Sequence, residues 1–242
     1  MGRPRVLLLD DDPAMRRFVQ LALEDLPLQV LPCATLLQAR QVLTRTEVQL
    51  VLTDLSLSDG SGLDLLDWLQ ARQFAVAPRV LVLSGGVDAA LQSRLRERGV
   101  WQILHKPASV GSLIACVSDA LDGLAAKAPA AVMPQSDPVA EFFVGNRQFY
   151  DTYRVACMAQ FPKDLLDGDR AAGDGDAQSL RRVAHNLKSI LILLGHTQVS
   201  YEARSAEQAA AQGEWPSALE HWQRLRAQVQ ALLATERGPP VD

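Results

Sequence analysis

The sequence predicts an α/β domain with a doubly wound, five-stranded parallel sheet, followed by an all-α four-helix-bundle domain. Three observations support this division. Short apolar runs alternate with amphipathic stretches of helical length in the first half. A segment rich in Ala and Pro follows, and the second half contains only helical periodicity. A chain of 242 residues is long enough for two domains that each bury a core.

Each strand of the first half is predicted from a short apolar run that ends in polar residues. Because these runs alternate with helices, we expect a parallel sheet with helices on both faces. The predicted strands are residues 5–9, 28–31, 48–53, 79–83 and 100–104, and the predicted helices are residues 13–25, 34–45, 62–72, 87–98 and 108–122.

Polar side chains with related chemistry follow four of these strands. Asp10 and Asp11 follow the first, Asp54 the third, Ser84 the fourth and Lys106 the fifth. Because the carboxyl ends of parallel strands share one edge of a sheet, these residues should converge. Crowded carboxylates favour a hard cation such as Mg²⁺, and an added ammonium would neutralise a phosphoryl group moving to a carboxylate. One such residue alone would indicate only a helix cap or a solvated turn.

The second half predicts a four-helix bundle with a short leading helix. The segment 168–175 is the main predicted break, and Gly195 and Gly213 end two further helices. Short connections favour antiparallel neighbours. The predicted linker is residues 123–137, the predicted helices are residues 138–144, 146–166, 176–194, 197–212 and 215–235, and residues 236–242 form a tail.

A histidine stands apart in the second predicted long helix. On a helical wheel His185 lies opposite the apolar stripe and is predicted to face water, with Lys188 and Ser189 one turn further on. An exposed imidazole beside an ammonium suits a nucleophile that accepts an anionic group. An ordinary surface histidine is the alternative. The apolar stripe consists of Leu180, Val183, Ala184, Leu187, Ile190, Leu191 and Leu194.

Residues 1–122 resemble a response-regulator receiver domain. The resemblance is carried by the paired aspartates after the first strand, the segment 53–62, Ser84 with the glycine after it, and Lys106 with the proline after it. Asp12 lies outside the usual pair and is interpreted as a surface or capping residue. The resemblance implies Asp54 as phosphoacceptor, Ser84 as switch hydroxyl, Lys106 as contact to the acyl phosphate, and Asp10, Asp11, Asp54 and the Ser56 backbone carbonyl as Mg²⁺ ligands.

Residues 138–235 resemble a histidine-phosphotransfer domain. The motif is His185 followed by Lys188, with Gly195 ten residues after the histidine. The resemblance implies that His185 is a phosphoacceptor and that Lys188 orients or neutralises the phosphoryl group. A receiver followed by such a domain is similar to the detached tail of a hybrid sensor kinase. The sequence contains no glycine-rich ATP-binding segment of a kinase core.

Among the positions that depart from the usual pattern of these families, three bear on how the domains would work. Ile103 stands where receivers often have a rotating Tyr or Phe, which puts the output of a phosphorylation switch in doubt. Ser189 stands where glycine is common, and Ile192 stands where a small residue is common. Ile192 is expected either to belong to a partner-docking patch or to pack against the adjacent helix.

The expected function is that of a phosphorelay intermediate rather than an enzyme, although autophosphatase activity stays open. It would accept a phosphoryl group on Asp54 from a sensor histidine kinase and exchange it through His185 with its own or a partner receiver. One alternative is a phosphorylation-independent interaction module. Another is a Mg²⁺-dependent phosphatase of the haloacid dehalogenase type, whose nucleophile motif Asp10 and Asp12 imitate, but the later acidic pair is missing.

Composition excludes several other classes of protein. A net charge of −4 gives no support for nucleic-acid binding. No apolar run approaches the roughly 20 residues of a membrane helix. Three aspartates cut the first apolar run, so no signal peptide is expected. The three cysteines, Cys33, Cys116 and Cys157, are predicted to be buried free thiols, which favours a reducing, cytoplasmic location.

Overall fold

The computed structural model describes residues 2–74, 76–86, 88–121 and 137–236. The chain divides into two compact units, Met1–Phe149 and Tyr150–Asp242. Of the predicted linker only Asp137 is described, and residues 237–242 of the predicted tail lie outside the described residues.

The first unit is built on a five-stranded parallel sheet, as the sequence predicts. The strands are β1 (Arg5–Leu9), β2 (Gln29–Cys33), β3 (Leu50–Asp54), β6 (Arg79–Ser84) and β7 (Gln102–His105), and a small antiparallel pair is formed by β4 (Ser56–Leu57) and β5 (Gly60–Ser61). The strand order in the parallel sheet is β2-β1-β3-β6-β7, so the chain reverses its direction across the sheet between β2 and β3. The central runs 6–9 and 50–52 are fully buried.

Five helices connect these strands. Asp12 caps α1 by accepting a hydrogen bond from the Ala14 amide at 2.8 Å, with Pro13 at the first helical position. Asp12 is therefore a capping residue, and it is buried rather than at the surface. Ser61 and Asp64 form a capping box on α3. The helices are α1 (Pro13–Ala22), α2 (Leu36–Arg45), α3 (Gly62–Gln70), α4 (Ala89–Glu97) and α5 (Val110–Ala120).

A short helix after the predicted linker belongs to the first unit and not to the helical bundle. Helix α6 (Pro138–Phe142) begins at the predicted position, with Asp137 as its cap. The rings of Phe143 and Phe149 each lie 5.8 Å from the ring of Phe18 on α1. This aromatic cluster joins residues that are far apart in the chain, and local periodicity does not reveal such contacts. The first unit therefore extends to residue 149.

The second unit contains four long helices, as predicted. They are α7 (Arg147–Asp174), α8 (Ala177–Leu193), α9 (Thr197–Gln212) and α10 (Trp215–Glu236). The predicted break at 168–175 begins too early, because α7 continues through Gly168 and ends only at Asp174. Gly168 does not end the helix, and its lack of a side chain allows a neighbouring ring to pack closely. A Cβ atom there would lie 2.1 Å from the Trp222 ring of α10.

Membrane insertion finds no support in the helices that the structure describes. None of them is both long enough and apolar enough to span a bilayer. The three cysteines are buried and carry free thiols, as expected.

Candidate functional site

The predicted acidic pocket forms where three parallel strands end. Asp10 follows β1, Asp54 ends β3 and Lys106 follows β7, and all three side chains are buried. The Lys106 Nζ donates to Asp10 Oδ2 and to Asp54 Oδ2, each at 2.8 Å. The second oxygen of Asp54 accepts from the Leu55 amide at 2.6 Å. The parallel sheet thus brings together residues up to 96 positions apart.

Electrostatics in this pocket favour one charged ammonium between two acids. Burial raises the pKa of Asp10, and the charge of Asp54 raises it further, while Lys106 lowers it. Burial would lower the pKa of Lys106, but the two carboxylates raise it above its ordinary value. Lys106 therefore stays protonated. With both acids ionised, the pocket holds two negative charges against one ammonium and therefore carries an excess of negative charge.

Ser84 lies beside this group at the end of β6. Its carbonyl accepts from the Lys106 amide at 2.8 Å, and its hydroxyl lies 3.3 Å from the Gly86 carbonyl. Asp11 is half-buried and next to Asp10 in the chain, whereas Ser56 is exposed. The structure thus places Asp10, Asp54 and Lys106 in direct contact and Ser84 next to them.

The pocket has the donor chemistry of a hard-cation site. Its side chains offer oxygen atoms, which Mg²⁺ prefers, and a cation would offset the excess negative charge. Within the described ranges, however, no group of three or more His, Cys, Asp and Glu side chains is arranged to hold a metal ion. One oxygen each of Asp10 and Asp54 is bonded to Lys106 instead. Ligand roles for these acids belong to the proposal below.

His185 is not exposed, in contrast to the prediction. Only 11% of its side chain is accessible, and its Nε2 is buried with no hydrogen-bond partner among the described residues. Its Nδ1 lies 2.7 Å from Oε1 of Glu207 on α9. Lys188 Nζ donates to Oε2 of the same carboxylate at 2.5 Å and lies 3.5 Å from His185 Nδ1. His185, Lys188 and Glu207 form one cluster, which we call the histidine triad.

The helical wheel predicted the wrong exposure for His185 because a neighbouring helix covers part of the polar face of α8 as well. Helix α9 packs against it with small buried side chains, Ala203 and Ala206, which allow the two helices to approach closely. The polar side of α8 therefore lies against α9, and Ser189 is buried as well. Ile192 is half-buried, so both of its predicted roles stay predictions.

Glu207 is the functional candidate that the sequence analysis missed. Burial raises its pKa, but hydrogen bonds and charges from His185 and Lys188 outweigh this and lower the pKa to about 2. Glu207 therefore stays ionised at neutral pH and accepts a hydrogen bond from the Nδ1–H of the imidazole. The Nε2 atom then carries the lone pair of the ring. An acid on another helix gives no local signal, because the contact depends on how α8 and α9 pack.

The lowered pKa of Glu207 predicts an acid-dependent loss of stability in the second unit. A carboxyl group whose folded pKa is below its ordinary value of 4.5 stabilises the fold above that value. This stabilisation is lost as pH falls from about 4.5 towards 2. We expect the free energy of unfolding to fall between pH 7 and 3 by on the order of 1–2 kcal/mol more in the parent than in Glu207→Gln.

Urea unfolding at several pH values between 7 and 3, followed by hydrogen exchange of α8 and α9 amides, measures this difference. The other carboxyl groups titrate in both proteins, so they cancel in the comparison. Parallel pH profiles for the two proteins would contradict the assignment of a lowered pKa to Glu207.

Comparison with known proteins identifies the families of both domains. Residues 6–118 match the family model of the response regulator receiver domain, and residues 153–235 match the model of the Hpt domain. The chain therefore carries a receiver domain followed by an Hpt domain. This pair of domains is typical of two-component phosphorelays. The receiver match also argues against a dehalogenase-type phosphatase.

Individual relatives match about half of the chain. The response regulator protein PilR of Pseudomonas aeruginosa is 33% identical over 50% of this chain and 27% of its own length. The KDP operon transcriptional regulatory protein KdpE of Escherichia coli is 32% identical over 48% of this chain and 50% of its own length. The chain thus spans about a quarter to a half of these curated relatives.

Solved structures of receiver domains also match about half of the chain. The signal receiver domain of a Luxo repressor protein from Vibrio parahaemolyticus is 30% identical, with a TM-score of 0.46, over 49% of this chain and 90% of that one. A response regulator receiver protein from Pseudomonas putida is 29% identical, with a TM-score of 0.46, over 49% of this chain and 98% of that one.

Proposed function

We propose that this protein is a phosphorelay intermediate that accepts a phosphoryl group on Asp54 and exchanges phosphoryl groups through His185. The donor would be a sensor histidine kinase, and the exchange partner would be the receiver of this chain or of another protein. The observation that carries the proposal is that each acceptor side chain forms a hydrogen bond with a charged partner. Lys106 donates to Asp54, and Glu207 accepts from His185.

In the first step a carboxylate oxygen of Asp54 attacks the phosphorus of a donor phosphohistidine. The new O–P bond replaces the N–P bond, and the donor imidazole leaves with the electron pair. The Lys106 ammonium, 2.8 Å from Asp54, neutralises charge on the phosphoryl group. The Ser84 hydroxyl, at the end of the neighbouring strand, would donate to a phosphoryl oxygen.

A divalent cation fits the charge of this pocket. Receiver domains in response regulators generally bind Mg²⁺, and Asp10, Asp11, Asp54 and the Ser56 backbone carbonyl would hold it here. When bound, Mg²⁺ neutralises phosphoryl oxygens and offsets the excess negative charge of the buried acids.

In the second step Nε2 of His185 attacks an acyl phosphate. The N–P bond forms as the O–P bond to the aspartate breaks, and the carboxylate leaves with the electron pair. Glu207 holds the Nδ1 proton, which keeps the lone pair on Nε2 and stabilises the imidazolium that forms. Lys188 lies close enough to neutralise the phosphoryl group. Because Nε2 is buried in this structure, the step requires a movement that uncovers it.

The buried Nε2 also favours a second candidate, a module that acts by binding alone. In that case the Hpt domain would bind a partner without carrying a phosphoryl group. The two candidates differ in whether N-linked phosphate ever forms at residue 185.

Two complementary variants of the full chain test the proposal. His185→Gln is labelled with acetyl phosphate and Mg²⁺ as a donor, freed of reagent, and mixed with Asp54→Asn as an acceptor. In a second arrangement, the parent chain is labelled alone to detect transfer within one molecule. In a third, phosphorylated receivers from the same organism are mixed with the acceptor. Mass spectrometry then locates O-linked and N-linked phosphate.

We expect O-linked phosphate at Asp54 of the donor and N-linked phosphate at His185 in at least one of the three arrangements. A second acceptor that carries both Asp54→Asn and His185→Gln is the matched control and should stay unlabelled at residue 185. Labelling at Asp54 without N-linked phosphate at residue 185 in every arrangement would contradict the relay and support binding alone.

A further inference from the structure

A second histidine in the Hpt domain repeats the histidine–carboxylate pair of the histidine triad. His221 lies on α10, and its Nδ1 is 2.8 Å from Oε2 of Glu202 on α9. Arg224 follows three residues later, at the spacing that separates Lys188 from His185. In both cases an α9 carboxylate holds Nδ1, and a cation lies one turn along the histidine's own helix. Neither the family resemblance nor the Hpt match assigns a role to residue 221.

The geometry of α9 explains how one helix serves two histidines. Glu202 and Glu207 are five residues apart, which places them about 140° apart around a helix with 100° per residue. Helix α9 packs against α8 on one side and α10 on the other. Each carboxylate therefore faces a different neighbouring helix.

The two histidines differ in accessibility. The side chain of His221 is 27% exposed, against 11% for His185. Its Nε2 makes no hydrogen bond within the described part of the chain, and unlike Nε2 of His185 it is not closed off from solvent. Arg224 is itself exposed and pairs with Glu220 on its own helix. His221 thus presents its free ring nitrogen without the movement that His185 requires.

We propose that His221 is a second phosphoacceptor of the Hpt domain, with an acyl phosphate of a receiver as its donor. The Nε2 lone pair attacks the phosphorus, the N–P bond forms and the O–P bond to the aspartate breaks. The aspartate leaves as a carboxylate with the bonding electron pair. The proton on Nδ1 stays in place, where Glu202 stabilises the resulting imidazolium. Arg224 is positioned to pair with the phosphoryl oxygens.

The test uses the full chain with His185→Gln, so that label at residue 221 cannot come from residue 185. Potassium phosphoramidate serves as a direct donor in one arm. Acetyl phosphate with Mg²⁺, which acts through Asp54, serves in the other. Both arms are run at pH 8, where imidazole side chains are mostly neutral. Site-resolved mass spectrometry follows N-linked phosphate at each histidine over time.

His105 is the internal control for simple accessibility. It is exposed, and the described residues offer its ring no hydrogen bond. We expect His221 to be labelled at least about tenfold faster than His105, because only His221 has a carboxylate on Nδ1. Glu202→Ala should lower the rate at residue 221 by about tenfold, and Glu202→Gln, which can still accept from Nδ1, should lower it less.

His221→Gln in the same background should lose the label at residue 221. Glutamine can still donate to Glu202, so the helices should keep their packing, and far-ultraviolet circular dichroism checks this. Equal rates at residues 221 and 105, or no label at residue 221 in either arm, would overturn the proposal and leave His221 as a structural link between α9 and α10. Because transfer to His185 is measured in the parent chain, this failure would leave the proposed relay untouched.

Discussion

Asp54→Asn is expected to abolish acyl phosphate formation in the receiver domain without lowering its stability. An amide is not a nucleophile, so no O-linked phosphate can form at this position. Asparagine nevertheless keeps an oxygen that can accept from the Leu55 amide. The substitution also removes one of two buried carboxylates that share Lys106. Less like-charge repulsion should leave the free energy of unfolding unchanged or raise it by about 1 kcal/mol.

Two measurements check this expectation in the full chain. Hydroxylamine-labile phosphate is counted after incubation with acetyl phosphate and Mg²⁺, and urea unfolding is followed by hydrogen exchange of the β1 and β3 amides. Asp12→Asn is the matched control, because asparagine caps a helix as well as aspartate does. We expect that control to be labelled like the parent. Persistent O-linked phosphate in Asp54→Asn would show that another carboxylate is the acceptor.

Gly168→Ala is expected to destabilise the Hpt domain, although the same change stabilises most helix interiors. The new Cβ would lie 2.1 Å from one Trp222 ring atom and 2.2 Å from another. The ring cannot move away freely, since its Nε1 donates to Asp169 at 3.0 Å and Arg226 pairs with the same carboxylate. Overpacking of this kind costs about 1–3 kcal/mol, which exceeds the gain of roughly 0.5–1 kcal/mol from a lower entropy of the unfolded chain.

Gly173→Ala on the same helix provides the control. No atom lies within 4 Å of the Cβ that alanine would add there, so only the entropic gain remains. We expect the free energy of unfolding to fall for Gly168→Ala and to rise by up to about 1 kcal/mol for Gly173→Ala. Hydrogen exchange of α7 and α10 amides in the full chain measures both. Equal effects at the two positions would show that the Trp222 contact does not exclude a side chain.

Most of the receiver domain could be predicted from local sequence. Its three central strands, β1, β3 and β6, are short apolar runs that are largely buried, and polar residues end or follow each of them. Asp12 and Asp137 stand where the sequence predicts helices to begin, and both cap those helices. The contact of Lys106 with Asp10 and Asp54 follows from the topology, since parallel strands place their carboxyl ends at one edge.

The Hpt domain was predictable in its helices and not in the contacts between them. Periodicity located α8, α9 and α10 closely, yet it placed His185 in water and gave no reason to select Glu207 or His221. It also predicted a helix break at Gly168. In the structure, the absence of a side chain at Gly168 leaves room for the ring of Trp222, which lies 54 residues later in the chain. A helical wheel identifies the apolar face of one helix but holds no information about which neighbour covers its polar face.

The sequence by itself therefore determined the two classes of domain, the order of the elements and the residue types that can carry a phosphoryl group. Only the tertiary structure decided that Nε2 of His185 is buried, that α9 carries the carboxylates for both His185 and His221, and that residues 137–149 pack in the first unit. The physical reason is the separation along the chain over which each kind of interaction acts. Strand and cap signals act between near neighbours in the chain, whereas side-chain burial depends on surfaces that meet only when distant helices pack.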